Sequence, residues 1–166
     1  MSQNLDFAEV YDQFYAPVYN FVRYQCSDQQ SAEDLTAQIF ERILTHLPGF
    51  DPQRGTLPAW IFSIARNALK NHFRTQAIRR FLPLESAQHL PEPEPGPEDQ
   101  SLDRETRKQL LSALDSLPQR ERELLALKFA ARFTNQQISD LTGLSESNVG
   151  VIIFRAVRKL QQLMEM

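Results

Sequence analysis

The sequence contains little of what disulfide-bonded, membrane-spanning or sheet-forming proteins need. Cys26 is the single cysteine, so no internal disulfide can form and a reducing, cytoplasmic environment is expected. No apolar run approaches the roughly 18 residues of a membrane span, and no signal-peptide pattern is present at the N-terminus. Five glycines in 166 residues, with few alternating β-branched runs, favour helices throughout. We therefore expect a soluble all-α protein without membrane insertion.

Residue patterns that catalyse reactions or bind metals are also missing. His46, His72 and His89 are far apart in the sequence, and none lies near a cysteine or an acid pair at ligand spacing. The chain has no glycine-rich phosphate-binding loop and no Ser-His or Cys-His arrangement. From the sequence we expect no enzyme, no metal site and no cofactor.

Charge is distributed unevenly along the chain, although its formal net value is only −3. Residues 1–80 carry eight basic and eight acidic side chains, and residues 102–166 carry ten basic and eight acidic ones. Residues 81–101 carry five acids and no base, whereas residues 55–80 carry five bases and no acid. The whole molecule is thus not a general polyanion binder, but a local basic surface suits an anionic polymer.

Three amphipathic segments precede residue 81. Residues 5–26 have aromatic and aliphatic side chains at three- and four-residue spacing, which predicts a helix that Pro17 bends or splits. Residues 31–47 predict a second helix with Ser31 as its N-cap. Residues 58–80 predict a third, which opens at a proline. We expect these helices to form a small bundle around a shared core.

The third helix presents a basic face beside a loop, residues 49–58, that contains Phe50 and Arg54. This stretch has no nucleophile–base pair and no metal-ligand spacing, and a positive helix beside a loop with an exposed aromatic residue suits an anionic polymer. Phe50 is either a core residue or the wall of a binding pocket. The polar residues of the helix face are Arg66, Asn67, Lys70, Asn71 and Arg74.

Residues 81–101 differ in character from the rest of the chain, because prolines alternate with acids in the stretch LPEPEPGPEDQ. Such spacing favours an extended, flexible tether. We therefore predict two small helical domains, an N-terminal bundle over residues 1–80 and a C-terminal domain over residues 102–166.

The C-terminal domain is predicted to contain a helix-turn-helix. Thr134 and Gln137 form a capping-box pattern that begins one helix, and Ser145 is a second N-cap after a turn containing Gly143. The second helix of such a motif normally enters the DNA major groove with its first residues at base edges. Candidates for base contact are Glu146, Ser147, Asn148, Val151 and Ile152, and candidates for phosphate contact are Arg155, Arg158 and Lys159.

Residues 149–154 of this helix form an apolar run that cannot all face inward. Three interpretations remain open. Val151 or Ile152 contacts thymine methyl groups, Phe154 or Ile152 meets a protein partner, or the core is overfilled.

The order of these segments resembles bacterial RNA polymerase sigma factors of the extracytoplasmic-function (ECF) type. Region two of that family is similar to AEDL at residues 32–35, FDPQRG at residues 50–55 and AWIFSIARNALKNHFR at residues 59–74. Region four is similar to LPQRERELLALKFAARFTNQQISDLTGLSESNVGVIIFRAVRKL at residues 117–160. The pattern departs from the family at Gly150 and Ile152, where basic residues are usual.

The resemblance implies a factor that binds core RNA polymerase and directs initiation at promoters. It implies that the loop and basic helix of the first domain bind the minus-ten element and capture a base as the duplex opens. It also implies that the second domain binds the minus-thirty-five element and the polymerase flap. The resemblance also implies that the clamp coiled coil of the polymerase binds Asp34, Gln38, Glu41 and Arg42.

Several alternatives stay open at this stage. A free-standing helix-turn-helix regulator accounts for the second domain alone, and a sigma-like decoy would bind polymerase without opening promoters. The tether is either a plain spacer or, as the resemblance implies, a segment that threads polymerase channels. An anti-sigma partner is also implied by the family. The two domains either stay apart without polymerase or pack together and hide both DNA-binding faces.

Overall fold

The computed structural model describes residues 4–81 and 103–165, and within these ranges the chain forms seven α-helices and no strand. The all-α expectation is thus confirmed. An N-terminal group contains α1 (Phe7–Arg23), α2 (Gln29–His46) and α3 (Leu57–Arg80). A C-terminal group contains α4 (Arg104–Asp115), α5 (Gln119–Leu125), α6 (Asn135–Thr142) and α7 (Glu146–Glu165).

Helix α1 begins after Asp6, whose carboxylate accepts a hydrogen bond from the backbone N–H of Ala8 at 3.1 Å. Pro17 lies inside the helix, which nevertheless continues as one element, so the predicted split does not occur. The buried side chains that hold it against its neighbours are Val10, Phe14, Val18, Tyr19, Phe21 and Val22. Their burial compensates for the hydrogen bond that the proline cannot donate.

Helix α2 starts two residues earlier than the sequence suggested. Its N-cap is Asp28, whose carboxylate accepts from the backbone N–H of Ser31 at 2.8 Å. The prediction of Ser31 as the cap is wrong, because the Asp28 carboxylate caps a helix that begins at Gln29, and Ser31 therefore lies inside the first turn. Helix α2 ends at His46 and is followed by a 3₁₀ turn, Leu47–Gly49, that contains Pro48.

Helix α3 is capped by Thr56, whose hydroxyl accepts from the backbone N–H of Ala59 at 3.3 Å. Its buried side is short: Ile61, Phe62, Ala65, Ala68 and Leu69. The opposite side from Asn67 onward is polar and exposed. This division leaves one long face of the helix free for a partner.

The C-terminal group contains the expected helix-turn-helix. Thr134 and Gln137 form the reciprocal capping box, with bonds of 2.8 and 3.1 Å. Gly143 closes α6 with φ of 81°, a conformation that glycine adopts without strain. Ser145 then caps α7, since its hydroxyl accepts from the backbone N–H of Asn148 at 3.1 Å.

The chain after α5 does not continue as a regular α-helix. Residues Ala126–Ala130 form a π-helical turn, and Arg132 follows with φ of 61°. The wider turn changes the direction of the side chains, and Phe129 is 56% exposed. Phe133 after the turn is buried.

The N-terminal and C-terminal groups pack against each other. Helix α1 contacts the π-helical turn, and the rings of Phe62 and Phe133 meet edge to face with centroids 5.3 Å apart. The buried side chains of both groups form one continuous cluster. The predicted tether at residues 81–101 lies outside the described residues except for Phe81, which is exposed.

Candidate nucleic-acid interface

The basic face of α3 is open to solvent over most of its length. Asn67, Lys70, Asn71 and Arg74 are all exposed and follow one another at helical spacing. Each can therefore reach a phosphate or a base without rearrangement of the helix. The structure brings together four of the five helix residues that the sequence selected for the minus-ten side.

Arg66, the fifth residue, is engaged with the C-terminal group. Its guanidinium donates through Nε to the Glu123 carboxylate of α5 and through Nη1 to the Leu141 carbonyl of α6. The second of these bonds is 2.8 Å long. Only 13% of the Arg66 side chain is exposed. Of the candidate DNA-binding residues on α3, Arg66 is thus the one withdrawn from solvent.

The loop before α3 holds its aromatic residue against the helix. Phe50 is half-buried, and its ring centroid lies 5.3 Å from that of Trp60. Asp51 organises the turn that follows, because its side chain accepts from the Gln53 N–H at 2.9 Å and its carbonyl from the Arg54 N–H at 3.1 Å. The Arg54 side chain is exposed. Phe50 is therefore packed against Trp60 and only partly accessible to solvent.

The recognition helix α7 presents its first turn to solvent. Glu146, Ser147 and Asn148 are exposed, whereas Val149 and Ile153 are buried against the other helices. Val151 is exposed and Ile152 is half-buried, so the core is not overfilled by the whole apolar run.

The later residues of α7 continue the exposed face. Arg155, Arg158 and Lys159 are exposed, and the Arg158 guanidinium lies 5.7 Å from the ring centroid of Phe154, which is 62% exposed. Lys159 donates to Glu121 of α5 at 2.8 Å. A phosphate that binds Lys159 would have to compete with that carboxylate.

The face of α2 opposite the core carries the residues implied for polymerase docking. Asp34, Gln38, Glu41 and Arg42 are all exposed. Asp34 is oriented by Gln30, whose side-chain amide donates to its carboxylate at 3.0 Å. The other three, with Thr45 and His46, line a shallow depression of about 290 Å³. This face lies apart from the contact between the two groups.

Two arginines of the C-terminal group reach across to α1 and its C-terminal end. Arg107 is only 3% exposed and donates to the side-chain carbonyl of Asn20 at 3.4 Å. Arg122 donates to the backbone carbonyl of Gln25 at 3.1 Å. Sequence reasoning missed both arginines, although Arg107 begins the same stripe as Leu110 and Leu114, which could have marked it as inward-facing.

Cys26 and His72 line a cavity of about 300 Å³ between the two groups, together with Asp28, Arg80 and Arg122 among others. Burial raises the pKa of the Cys26 thiol to about 12, and the Asp28 carboxylate adds to the effect. Burial lowers the pKa of His72. Both side chains are therefore neutral at pH 7, and Cys26 is a protonated, packed thiol rather than a reactive one.

His46 is exposed near the end of α2, and His72 lines the cavity that also contains Cys26 and Asp28. Within the described ranges, no group of three His, Cys, Asp or Glu residues could hold a metal ion. His89 lies outside those ranges. None of the helices in the described ranges is both long and apolar enough to cross a bilayer.

Comparison with known proteins identifies both helical groups. The family model "Sigma-70 region 2" matches residues 10–79, and "Sigma-70, region 4" matches residues 107–160. The ECF RNA polymerase sigma factor BldN of Streptomyces coelicolor is 30% identical over 95% of this chain, which spans 60% of the length of BldN. The RNA polymerase sigma factor SigZ of Bacillus subtilis is 27% identical over 97% of this chain and 88% of its own length.

A solved structure shares the arrangement of helices. It contains the sigma factor RpoE of Bartonella quintana in complex with the anti-sigma factor NepR. RpoE superimposes with a TM-score of 0.74 at 22% identity, and the match covers 97% of this chain and 98% of RpoE. At that identity the likeness supports the fold.

Proposed function

The chain belongs to the sigma-70 family of RNA polymerase sigma factors, of the ECF type, and from this we propose which of its exposed faces binds polymerase and which bind promoter DNA during initiation. A sigma factor binds core RNA polymerase and directs it to promoter DNA. The observation that carries the proposal is the presence of two DNA-suited surfaces, the basic face of α3 and the first turns of α7, in the region-two and region-four matches.

In this proposal the chain forms two functional domains, residues 1–80 and 102–166, with residues 81–101 between them. Each domain alone would bind its target weakly. Because they are joined, binding of one raises the effective concentration of the other near its target. Residues 81–101 serve as the spacer that sets the distance between the two promoter elements.

The exposed face of α2 is the proposed docking surface for the clamp coiled coil of the polymerase. Asp34, Gln38, Glu41 and Arg42 offer charges of both signs and a hydrogen-bonding amide, and all four are accessible. Such a face favours a partner with complementary charged side chains rather than an apolar one. The flap of the polymerase is the proposed partner of the C-terminal domain.

The basic face of α3 and the adjacent loop are the proposed minus-ten site. Opening a duplex costs the stacking and pairing of at least one base pair, and single-strand contacts compensate for this cost. Lys70 and Arg74 would bind phosphates, Asn67 and Asn71 would bind bases or sugars, and the exposed Arg54 would bind the backbone. The half-buried side chain of Phe50 is the proposed wall for a captured base.

Helix α7 is the proposed reader of the minus-thirty-five element. The side chains of Glu146 and Asn148 can pair with base edges in the major groove, and Ser147 can bind either a base or a phosphate. Val151, which is exposed, would lie one turn further on and could contact a thymine methyl group. Ile152, Arg155, Arg158 and Lys159 complete the proposed surface.

The family consists of transcription initiation factors, and we propose that this chain has no catalytic activity of its own. We also place it in the cytoplasm, where the polymerase is found. Because the similar RpoE structure contains an anti-sigma factor, an anti-sigma protein is a proposed further partner. The free-standing regulator and the decoy considered from the sequence have no support in the comparisons.

The docking proposal is tested by reversing one charge on α2. Asp34→Arg should abolish co-elution of the purified protein with core RNA polymerase, because the substitution places a cation where the clamp is expected to meet an acid. The control is Asp12→Arg, an identical charge change at an exposed position of α1. Normal co-elution of Asp34→Arg, with an unchanged thermal transition, would contradict the docking face.

A further inference from the structure

The second turn of the recognition helix offers nothing of its own to a phosphate. Residues 149–154 of α7 bear no polar side chain, and the first basic side chain of the helix is Arg155. Protein–DNA complexes make roughly half or more of their hydrogen bonds to phosphate and sugar oxygens. Phosphate contacts beside the second turn therefore depend on donors from a neighbouring element, and α6 packs against α7.

Asn135, the first residue of α6, lies against this second turn at Gly150. Its Nδ2 atom is 3.5 Å from the position that a Cβ atom on residue 150 would take. Because Gly150 has no side chain, the amide of Asn135 occupies a flank of α7 that a longer side chain would fill. A polar group from α6 thus stands beside an otherwise apolar stretch of the recognition helix.

Lys128 determines which end of that amide points towards α7. Its ammonium group donates to Oδ1 of Asn135 at 3.0 Å, from the π-helical turn that contacts α6. An ammonium group can only donate, so the amide oxygen faces Lys128 and the NH2 group faces Gly150. Within the part of the chain that the structure describes, this NH2 group has no acceptor, and it is not sealed from solvent.

We propose that the side-chain NH2 group of Asn135 donates to a DNA phosphate beside the second turn of α7, and that Lys128 is the positioning residue that keeps it turned outward. In a DNA-bound helix-turn-helix, the recognition helix lies in the major groove while the first helix crosses the backbone, which brings α6 to the phosphates. Asparagine amides are common donors to phosphate oxygens. This inference rests on the proposed function of α7 as the reader of the minus-thirty-five element.

Lys128 acts through Asn135 because the other orientation of the amide is unfavourable. If the amide rotated by about 180°, its oxygen would meet the phosphate, and two groups that only accept cannot form a hydrogen bond. Lys128 itself is half-buried and its ammonium already has an acceptor. The inference therefore assigns the phosphate contact to a neutral amide and the orientation of that amide to the cation.

A double-mutant cycle on the complex of the full-length chain with core RNA polymerase tests both roles. Asn135→Ala removes the amide, Lys128→Met removes the ammonium group but keeps a long side chain, and a third variant combines them. The measurement is competitive binding to a pool of promoter fragments at several salt concentrations. The control Gln161→Ala truncates an exposed amide near the end of α7.

We expect Asn135→Ala to bind the fragments about tenfold more weakly than Gln161→Ala, because a hydrogen bond to a charged acceptor is lost. Lys128→Met should also bind more weakly, and the double variant should bind no more weakly than Asn135→Ala, since the cation acts only through the amide. The salt slopes should all equal that of the native complex, because no cation leaves a phosphate.

A second pair of variants tests the space beside Gly150. Gly150→Ala places a methyl group at an ordinary van der Waals distance from Asn135 and should leave binding unchanged. Gly150→Leu fills the flank and displaces the amide, so its loss should match that of Asn135→Ala and should not add to it. If Asn135→Ala loses its cooperative melting transition, Asn135→Asp supplies the comparison, because it keeps an acceptor for Lys128 and removes the donor.

Equal binding by Asn135→Ala and Gln161→Ala would overturn the inference. A salt slope lowered by about 1 in Lys128→Met, with a loss that adds to that of Asn135→Ala, would overturn the positioning role, because Lys128 would then bind phosphate itself. Failure of the proposed function looks different. In that case the native complex retains promoter fragments no better than core polymerase alone, and the inference fails with it.

Discussion

At the scale of single residues, Lys70 and Arg74 are the candidate DNA-binding cations of α3 that are exposed and need no rearrangement to meet DNA. Each neutralises about one phosphate, and each phosphate contact releases a counterion. Lys70→Ala and Arg74→Ala should therefore weaken binding across many promoter sequences and lower the slope of log affinity against log salt by about 1 each. The measurement is competitive binding of the polymerase complex to a pool of promoter fragments at several salt concentrations.

Arg104→Ala is the matched control for these variants, because it removes an exposed cation from α4, which has no proposed DNA contact. Its salt slope should equal that of the native protein. An unchanged salt slope for both Lys70→Ala and Arg74→Ala would contradict the proposal that the basic face binds phosphates.

Residue spacing predicts which side chains share a face, but not which of them another part of the chain will cover. Lys70, Asn71 and Arg74 are exposed as expected, since one helix places them together. Arg66 belongs to the same face, yet its partner Glu123 is 57 positions away in the sequence. Nothing local to either residue marks that pair, because it arises only when the two groups pack.

At the scale of elements, the recognition helix depends on the short helix α6 that supports it. Helix α6 has only 8 residues, and its capping box satisfies two groups that would otherwise be unpaired. Thr134→Val removes the hydroxyl while it preserves the shape of the side chain. We expect the free energy of unfolding to fall by about 1 kcal/mol.

Urea denaturation monitored by circular dichroism measures this loss. Thr75→Val is the control, because Thr75 is exposed on α3 and its hydroxyl donates only to the Asn71 carbonyl at 2.9 Å. A decrease of the same size in both variants would mean that the capping box contributes nothing specific to α6.

Elements that depend on local chemistry could be predicted from the sequence, and those that depend on packing could not. The capping box at Thr134 and the Ser145 cap are as expected, because both signals lie within three residues of the bonds they form. Helix α2 starts earlier than predicted because Asp28 and Ser31 are both favourable N-cap residues and only one of them can cap the helix. No local sequence pattern predicts the π-helical turn Ala126–Ala130. The turn contacts α1, so it forms part of the contact between the two groups.

At the scale of the whole molecule, the two helical groups of the sigma factor are not separate. The sequence left open whether they pack together and hide both DNA-binding faces. They do pack, but the contact conceals Arg66 and leaves α7 and the α2 face exposed. Composition and motif order indicate the two groups and the proposed role of each. The contact between the groups depends on side chains such as Phe133 and Arg107, which no sequence motif distinguishes.

Transcription itself tests the central claim most directly. The purified chain is mixed with core RNA polymerase and a library of promoter fragments, and the transcripts are sequenced, with Asp34→Arg as the inactive control. We predict transcripts from a set of start sites that share two short upstream elements at constant spacing, and none of these start sites with Asp34→Arg. Transcripts indistinguishable from those of core polymerase alone would contradict the account.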